Sequence, residues 1–321
     1  MRRGIVLALL IAVGALSLAA AGSQGQPQAR KLVLQEVGNT MRIRDTLYVL
    51  TGGGGTTAAL IANDGVVLVD TKLAGFGQPI LDELRTVTDK PVTTIINTHT
   101  HGDHTGSNNF FPTTVDIIAH ENTKANMAKM DAFKGENAKF LPKRTYRDKM
   151  SLLTGKVVYF PETRLPRKDV NPDQVDLYYF GAGHTNGDTI VVFPGLRVAC
   201  VGDLFTGKST PVIDVSNGGS GVAYPETLAK AVAGIKDVDT VIPGHGPPPS
   251  GSPSRGLMTW KDLQEYAAFN RDFLAAVQEA MKAGKSAEVA AASLKLPETY
   301  KDYGMEHAKA NVQAIYNELK K

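Results

Sequence analysis

The sequence contains a single cysteine, Cys200, among 321 residues. One cysteine cannot form an intramolecular disulfide, so the folded chain must be stable through its hydrophobic core. A chain of this length can bury a large core. Cys200 lies in the apolar run 198–201, which predicts a buried, small hydrophobic side chain rather than a reactive thiol.

The chain also lacks a strong excess of charge of either sign. It has 35 lysines and arginines against 32 aspartates and glutamates, which gives a formal net charge of +3. This balance argues against nucleic acid or an anionic membrane as the partner, because both attract a pronounced basic excess. We therefore expect a small-molecule substrate. The composition leaves the oligomeric state open.

The motifs of two common classes of enzyme are missing. Four glycines at residues 52–55 are not followed by the spaced Gly, Lys and Ser or Thr of a phosphate loop. We interpret this run as a mobile hairpin tip over a site. The Gly-x-Ser-x-Gly element that presents the nucleophile of many serine hydrolases is absent as well. The sequence therefore favours neither a nucleotide-dependent nor a serine-dependent reaction.

The first residues have the pattern of a secretory signal peptide. Arg2 and Arg3 precede an apolar run over residues 5–21 that ends in three alanines. The pattern predicts cleavage after Ala21, a signal peptide over residues 1–21, a flexible leader over residues 22–31, and a periplasmic or secreted protein. Cleavage would lower the formal charge to +1 and leave no stable membrane insertion. An uncleaved anchor is the alternative, although about 17 residues is short for spanning a bilayer.

The rest of the chain alternates short apolar runs with amphipathic segments. Strands are predicted at residues 47–50, 57–62, 66–70, 92–97, 115–119, 175–180, 189–193, 196–201 and 240–242. Helices are predicted at residues 80–87, 121–133, 225–235, 257–283, 286–294 and 300–319. Residues 134–173, rich in Lys, Arg and Pro, are predicted to form an irregular surface insertion. The alternation indicates a layered α/β domain over residues 32–250, with residues 251–321 as a helical extension packed on it.

Three histidines and an aspartate lie within six positions: His99, His101, Asp103 and His104. The whole chain has seven histidines. Neutral imidazole and carboxylate groups are the ligands that zinc and similar divalent ions prefer. His99 and His101 point to the same side of an extended segment, which suits two ligands of one ion. Gly102 lets the backbone turn, so Asp103 and His104 are placed to face a second ion.

Three further candidates each follow an apolar strand and a glycine: His184, Asp203 and His245. Taken singly, a loop histidine is more often hydrogen-bonded than metal-bound, and a lone aspartate is more often a turn or a helix cap. Together the candidates include five of the seven histidines, and this combination favours a metal site. His120 is interpreted as structural near a helix start, with a place lining the site as the alternative. His307 is expected on the surface.

These elements resemble the metallo-β-lactamase superfamily of metallohydrolases. They occur in that family's order: Asp70 at a strand end, the residues 99–104, Gly183-His184, Gly202-Asp203 and Gly244-His245. The resemblance implies a four-layer αββα sandwich with the site at one edge of two facing sheets. It implies one metal on His99, His101 and His184, a second on Asp103, His104 and His245, and a bridge between them through Asp203.

The same resemblance implies the chemistry of the site. Two zinc ions, or iron or manganese in one or both positions, would share a water molecule and lower its pKa, giving a bridging hydroxide as nucleophile. Asp103 would orient this nucleophile as well as bind metal. Asp70 would orient a ligand-bearing loop without binding metal itself. The implied activity is hydrolysis of a small ester, thioester, lactone or amide.

Other activities in the superfamily stay open as alternatives. The bridging Asp203 resembles the glyoxalase II, lactonase and nuclease branches. A large group of zinc β-lactamases has cysteine at this place, and Cys200 lies three residues too early. Hydrolysis of β-lactam antibiotics is therefore an alternative rather than the expectation. Persulfide dioxygenases retain the overall motif but hold one iron on two histidines and an aspartate, so an oxidoreductase of that kind is the second alternative.

Overall fold

The computed structural model describes residues 40–153, 171–246 and 256–320. The predicted signal peptide and leader lie outside these residues, as do residues 154–170 of the predicted insertion. Within the described ranges the strands are β1 (Met41–Arg42), β2 (Leu47–Leu50), β3 (Thr57–Ala62), β4 (Gly65–Val69), β5 (Val92–Ile96), β6 (Asp116–His120), β7 (Arg144–Tyr146), β8 (Lys149–Leu152), β9 (Val175–Tyr178), β10 (Ile190–Phe193), β11 (Val198–Cys200), β12 (Thr240–Ile242) and β13 (Met258–Thr259).

The α-helices of the same ranges flank these strands. They are α1 (Gly77–Arg85), α2 (Gly102–Thr105), α3 (Glu121–Met127), α4 (Tyr224–Gly234), α5 (Trp260–Lys282), α6 (Ala287–Ala292) and α7 (Ala308–Leu319). In the part of the chain that is described, no helix combines the length and the apolar character needed to cross a membrane.

The strands form two mixed sheets. The first sheet runs β1 to β7 in chain order, antiparallel up to β4 and parallel from β4 to β7. The second has the order β13-β12-β11-β10-β9-β8, and only its β11–β12 pair is parallel. Parallel neighbours end at the same edge of a sheet. In each sheet, the loops that follow two parallel strands therefore lie together at one edge.

Alternation of side chains along the strands builds three layers of core. Leu60 and Val69 of the first sheet belong to one buried cluster with Val191 and Cys200 of the second, which places this cluster between the sheets. The outer face of the first sheet packs with α1 and α3. The outer face of the second packs with α4, α5 and α7. The predicted αββα sandwich is confirmed, and so is the burial of Cys200.

Two sequence-based predictions of local structure are wrong. Residues 134–173 are not an irregular insertion throughout, because residues 144–146 and 149–152 form β7 and β8 at the edges of the two sheets. These strands are short, and Arg144 and Lys149 face solvent, as is common at sheet edges. The last helix begins at Ala308 rather than at residue 300, because the backbone of Gly304 pairs with residues 208 and 210 instead of continuing a helix.

The C-terminal helices complete the core on the second sheet. Helix α5 starts with a capping box between Thr259 and Asp262. Its Phe269 is fully buried in one cluster with Val241 of β12 and Val312 of α7. Residues 260–319 therefore supply the outer helical layer of this side of the sandwich.

Truncation of Phe269 tests this contribution. Phe269→Ala is expected to lower the free energy of unfolding by about 3–5 kcal/mol, because it removes a large buried ring and leaves a cavity. Denaturant unfolding of the full chain measures the change. Gln278→Ala, at an exposed position of the same helix, is expected to change it by less than about 0.5 kcal/mol. Equal effects of the two substitutions would contradict the assignment of α5 to the core.

Candidate metal centre

The predicted site residues meet at the edge where the parallel pairs of both sheets end. His99, His101, Asp103 and His104 follow β5, whereas Asp203 follows β11 and His245 follows β12. His184 lies in the loop between β9 and β10. Because β10 is antiparallel to β11, that loop opens at the same edge. The fold therefore brings together residues from four separate segments of the chain.

Three histidines form a first cluster. His99 Nε2 lies 3.2 Å from His101 Nδ1, and His184 Nε2 lies 3.0 Å from the same atom. His99 and His184 are buried, whereas the side chain of His101 is 27% exposed. Three ring nitrogens converge on one point, and that arrangement suits a single cation.

Asp103, His104 and His245 form a second cluster. His245 Nε2 lies 3.3 Å from His104 Nε2 and 3.1 Å from Asp103 Oδ2. His104 is fully buried, but His245 and Asp103 are 40% and 29% exposed. The second cluster is thus the more open of the two, and it is the part of the site that a molecule from solvent reaches first.

Asp203 lies between the two clusters. Its Oδ1 is 3.2 Å from His104 Nε2, and its Oδ2 is 3.2 Å from His245 Nε2 and 3.8 Å from His184 Nε2. Oδ1 is buried and makes no hydrogen bond within the described residues. The backbone approaches closely here, because a Cβ at Gly244 would lie 2.0 Å from this oxygen. A buried carboxylate oxygen without a hydrogen-bond partner is costly unless a cation or a donor faces it.

The donor atoms fit divalent metal ions. Tetrahedral zinc with Zn–N distances of about 2.0–2.1 Å places its ligand atoms roughly 3.3 Å apart. His101 Nδ1 lies 3.0–3.2 Å from the nitrogens of His99 and His184, and those of His104 and His245 are 3.3 Å apart. Imidazole and carboxylate groups are also the donors that zinc, iron and manganese accept. The structure therefore contains two candidate metal-binding clusters, consistent with a dinuclear site.

Burial and charge set the protonation of these ligands in opposite ways. Burial holds the pKa of His99 well below its ordinary value and also lowers that of His184, so both are neutral, as metal ligands must be. Burial also disfavours a charged His104, but Asp70 and Asp203 outweigh it and raise the pKa of His104 well above its ordinary value. Hydrogen bonds to Asp103 and Asp203 raise the pKa of His245 to about 9. His104 and His245 therefore give the second cluster a positive charge, and a bound cation would replace it.

Asp70 orients the second cluster without belonging to it. Its Oδ2 accepts a hydrogen bond from His104 Nδ1 at 2.7 Å and from the hydroxyl of Thr98, and its Oδ1 accepts from Thr98 N. The backbone at Asp70 is left-handed, with a φ of 64°. This conformation turns the chain out of β4 and sets the carboxylate beneath the histidine loop. His104 is left with Nε2 directed at the cluster.

Asp214 plays the matching part at the first cluster, and sequence reasoning missed it. Its Oδ2 lies 2.7 Å from His101 Nε2, which leaves His101 Nδ1 for the cluster. The nearby carbonyl of Val212 accepts from His184 Nδ1 at 2.8 Å. In the sequence, Asp214 precedes Val-Ser-Asn-Gly, and this pattern indicates only a turn. The turn is present, because the carboxylate of Asp214 accepts from Ser216 N and Asn217 N. No local signal connects it with a histidine 113 residues away.

The four-glycine run lies in the hairpin connection between β2 and β3 and at the site, as predicted. It packs against the second cluster: a Cβ at Gly55 would lie 2.3 Å from the His104 ring, and Gly55 N donates to Asp103 O. The ammonium of the buried Lys72 donates to the carbonyls of Leu50 and Gly55 and so holds both ends of the run. Burial lowers the pKa of Lys72 to about 7. Sequence reasoning missed Lys72 because nothing in its neighbours indicates burial.

The two remaining histidines lie outside the clusters. His120 stacks on Tyr179, and its Nε2 donates to Arg147 O while its Nδ1 accepts from Asn122 N. Burial lowers the pKa of His120, and both ring nitrogens are engaged in holding the start of α3. This agrees with the structural interpretation. His307 is exposed, as expected, and precedes α7.

Comparison with known proteins gives a family and two kinds of relative. The model of the metallo-beta-lactamase superfamily matches residues 51–245. A curated relative is the 2,4-dinitroanisole O-demethylase subunit alpha of Nocardioides sp. (strain JS1661), 29% identical over 212 residues. That alignment covers 64% of this chain and 57% of the relative. The chain thus spans little more than half the length of this relative.

Solved structures share the fold at low identity. The metallo-beta-lactamase from Pontibacter korlensis superposes with a TM-score of 0.55 and 17% identity, over 73% of this chain and 99% of that one. The DIM-1 metallo-beta-lactamase gives a TM-score of 0.55 and 16% identity, over 73% of this chain and 96% of that one. These likenesses concern the fold.

Substitution of the two outer carboxylates should weaken the two clusters selectively. Asp70→Asn is expected to reduce metal affinity at the second cluster by about 10–100-fold, and Asp214→Asn should do the same at the first, because each replaces a charged carboxylate that orients a ligand histidine by a neutral amide with one acceptor oxygen. Competition with a chromogenic chelator measures both affinities. Asp64→Asn, in an exposed hairpin turn, is the control and should leave both unchanged. A larger loss at the opposite cluster than at the assigned one would contradict these assignments.

Proposed function

The chain belongs to the metallo-beta-lactamase superfamily, and we propose that it is a dinuclear zinc hydrolase of a small ester, thioester, lactone or amide. The observation that carries this proposal is the position of Asp203. Its carboxylate lies within 4.0 Å of four histidine nitrogens that belong to both clusters. One carboxylate that faces two nitrogen clusters suits two adjacent metal ions.

In this proposal the residues divide the work by cluster. His99, His101 and His184 would hold one ion, Asp103, His104 and His245 the other, and Asp203 would contact both. When bound, two such ions supply a water of lowered pKa and an electrophilic partner for the substrate oxygen. The exposed rim of His101, Asp103 and His245 leaves the substrate a way in. The buried bases of the clusters, fixed by Asp70 and Asp214, keep the ligand atoms in place.

Asp103 has a second capacity beside metal binding. Its carboxylate is 29% exposed at the open side of the second cluster, and its Oδ2 is bonded to His245. Although burial acts to raise the pKa of Asp103, the hydrogen bond to His245 and the charge of His104 lower it overall. Asp103 therefore stays ionised near neutral pH and can accept a hydrogen bond from a nucleophilic water.

The structure bears on the β-lactamase alternative through Cys200. This residue is buried between the sheets, in the same cluster as Val191, and burial raises the pKa of its thiol. Because its side chain packs between the sheets and away from the clusters, it cannot take the place of the cysteine ligand of the zinc β-lactamases. The place of that ligand is taken by Asp203. We therefore keep β-lactams as one arm of the test rather than as the expected substrate.

A second candidate substrate class comes from the curated relative. That protein is named as an O-demethylase of 2,4-dinitroanisole, an aryl methyl ether activated by nitro groups. Attack of water on such a ring, with departure of methanol, is also a hydrolysis and needs the same activated water. We therefore add activated aryl ethers to the substrates proposed for this chain. Iron in place of zinc, with consumption of oxygen, remains the dioxygenase alternative.

Export is part of the proposal and rests on the sequence. Arg2, Arg3 and the apolar run over residues 5–21 support a cleaved signal peptide and a periplasmic or secreted enzyme. Mass spectrometry of the mature N-terminus in the native host, with cell fractionation, tests this. A chain that retains residues 1–21 in the cytoplasmic fraction would contradict export without touching the hydrolase assignment.

A substrate panel tests the hydrolase assignment. The zinc-loaded mature chain is offered a chromogenic ester, a lactone, a glutathione thioester, a cephalosporin and 2,4-dinitroanisole, and metal content is measured in parallel. We expect about two zinc ions per chain and turnover of an ester, thioester or lactone. Asp203→Ala is expected to lower that turnover by more than about 100-fold, because it removes the group shared by both clusters.

The matched control is Asp64→Ala, which removes a carboxylate at an exposed turn and should retain full activity and metal content. Undiminished turnover in Asp203→Ala would contradict the proposed mechanism. One iron per chain with consumption of oxygen would replace the hydrolase by the dioxygenase alternative.

A further inference from the structure

One loop orients two of the three histidines in the first cluster. We name residues 207–222 the orienting loop; it leads into α4 (Tyr224–Gly234). Its middle supplies the carbonyl of Val212 to His184 Nδ1 and the carboxylate of Asp214 to His101 Nε2. Asp214 N also donates to His184 O at 2.9 Å. The direction of two ligand rings therefore depends on where this loop lies.

Residues 304–311, which lead into and begin α7, hold the first half of the orienting loop. Thr210 N donates to Gly304 O at 2.7 Å, and the hydroxyl of Thr210 accepts from His307 N. From α7, Asn311 Nδ2 donates to Pro211 O at 2.9 Å. The side chains of Thr210 and Asn311 are almost completely buried, so these bonds are shielded from competing water. Pro211 immediately precedes Val212, the acceptor for His184.

The far end of the same helix holds the second half of the loop. The carboxylate of Glu318 accepts from the hydroxyl of Ser220, from Gly221 N at 2.8 Å and from Val222 N. Ser220 N in turn donates to Gly183 O, next to His184. Gly221 lies so close to α7 that a Cβ there would be 2.6 Å from Ile315 Cγ1. Both ends of the orienting loop are thus fastened to one helix.

The second cluster depends on different partners. His104 is oriented by Asp70, and Asp103 contacts the glycine run through Gly55 N. None of the hydrogen bonds described for Asp70, Asp103 or His104 reaches residues 304–318. Asp70 also reaches the first cluster, because the hydroxyl of Thr98 that donates to it lies 3.0 Å from His99 Nδ1. The contacts of α7 with the orienting loop lead instead to His101 and His184, so a change in α7 is expected to act on the first cluster.

We propose that Asn311 and Glu318 are positioning residues for the first metal cluster. They act through Val212 and Asp214, which fix the rings of His184 and His101. This inference rests on the proposed function, because it takes the two clusters as metal sites. If Glu318 only capped the start of α4, its removal would lower the stability of the fold, and metal binding at the two clusters would not be affected differently.

Two-step titration of the metal-free full chain with Co²⁺ tests the inference. The visible absorbance of bound Co²⁺ follows each step, and His101→Ala and His245→Ala identify which step belongs to which cluster. Asn311→Ala and Glu318→Ala are expected to weaken Co²⁺ binding at the first cluster by about tenfold, the lower end of the effect of removing an outer partner. Binding at the second cluster should stay within about twofold. Asp70→Asn should weaken the second cluster more than the first, because Asp70 contacts His104 directly and His99 only through Thr98.

Matched variants separate positioning from general damage. Gln313→Ala changes an exposed amide on the same helix, and Glu298→Ala removes an exposed carboxylate of the same segment. Both should leave both steps unchanged. Glu318→Gln keeps one acceptor oxygen for the loop and should recover part of the affinity lost in Glu318→Ala. If Glu318→Ala does not fold, Asn311→Ala carries the test, because it leaves the contacts of Glu318 in place.

The outcomes are distinct. Weakening confined to the first step supports the inference. Equal weakening of both steps contradicts the inference, and so does an unchanged first step in folded Asn311→Ala. In either case, two-step binding of Co²⁺ by the unaltered chain would still support the proposed metal centre. Failure of the unaltered chain to bind Co²⁺ would contradict the proposed function and this inference with it.

Discussion

The burial of Asp203 among histidines is the constraint on which the rest of the site depends. An ionised carboxylate that is withdrawn from water requires compensating charge, since the penalty of an unpaired buried charge amounts to several kcal/mol. Here the compensation comes from four imidazoles within 4.0 Å, and Asp70, Asp103 and Asp214 lie against three of the five ligand histidines. The Oδ1 of Asp203 makes no hydrogen bond within the described residues, and His104 Nε2 lies 3.2 Å from it. This arrangement suits the two candidate metal-binding clusters.

The sandwich tolerates this concentration of polar groups because they lie at one edge of the sheets and outside the apolar core. Between the sheets the strands bury an apolar cluster that includes Leu60, Val191 and Cys200. Polar residues begin where β4, β5, β11 and β12 end. Glycines at those ends let backbone and ligands approach: a side chain at Gly55 would meet His104, and one at Gly244 would meet Asp203. The glycine run, which has the composition of a loop tip, is in fact part of the wall of the centre.

Much of the fold and of the site followed from the sequence because those features are local. The apolar runs of β2 to β4, the clustered histidines and the glycines before His184, Asp203 and His245 each have a signature within a few positions. The parts that escaped are set by tertiary contact. Asp214 and Lys72 stand in segments whose neighbours predict a turn or a solvated charge. β7 and β8 are strands only because a sheet edge is available to them.

The same distinction between local and distant contacts separates the two clusters. His104 and Asp103 are supported by Asp70 and the glycine run, which the chain has already placed by residue 104. His101 and His184 receive their outer hydrogen bonds from residues 212–214, and that loop is fastened by α7, the last helix of the chain. The geometry of the first cluster therefore depends on contacts made by the C-terminal helix. Because that helix packs on the second sheet, the helical layer behind the sheet is part of the support of the candidate metal centre.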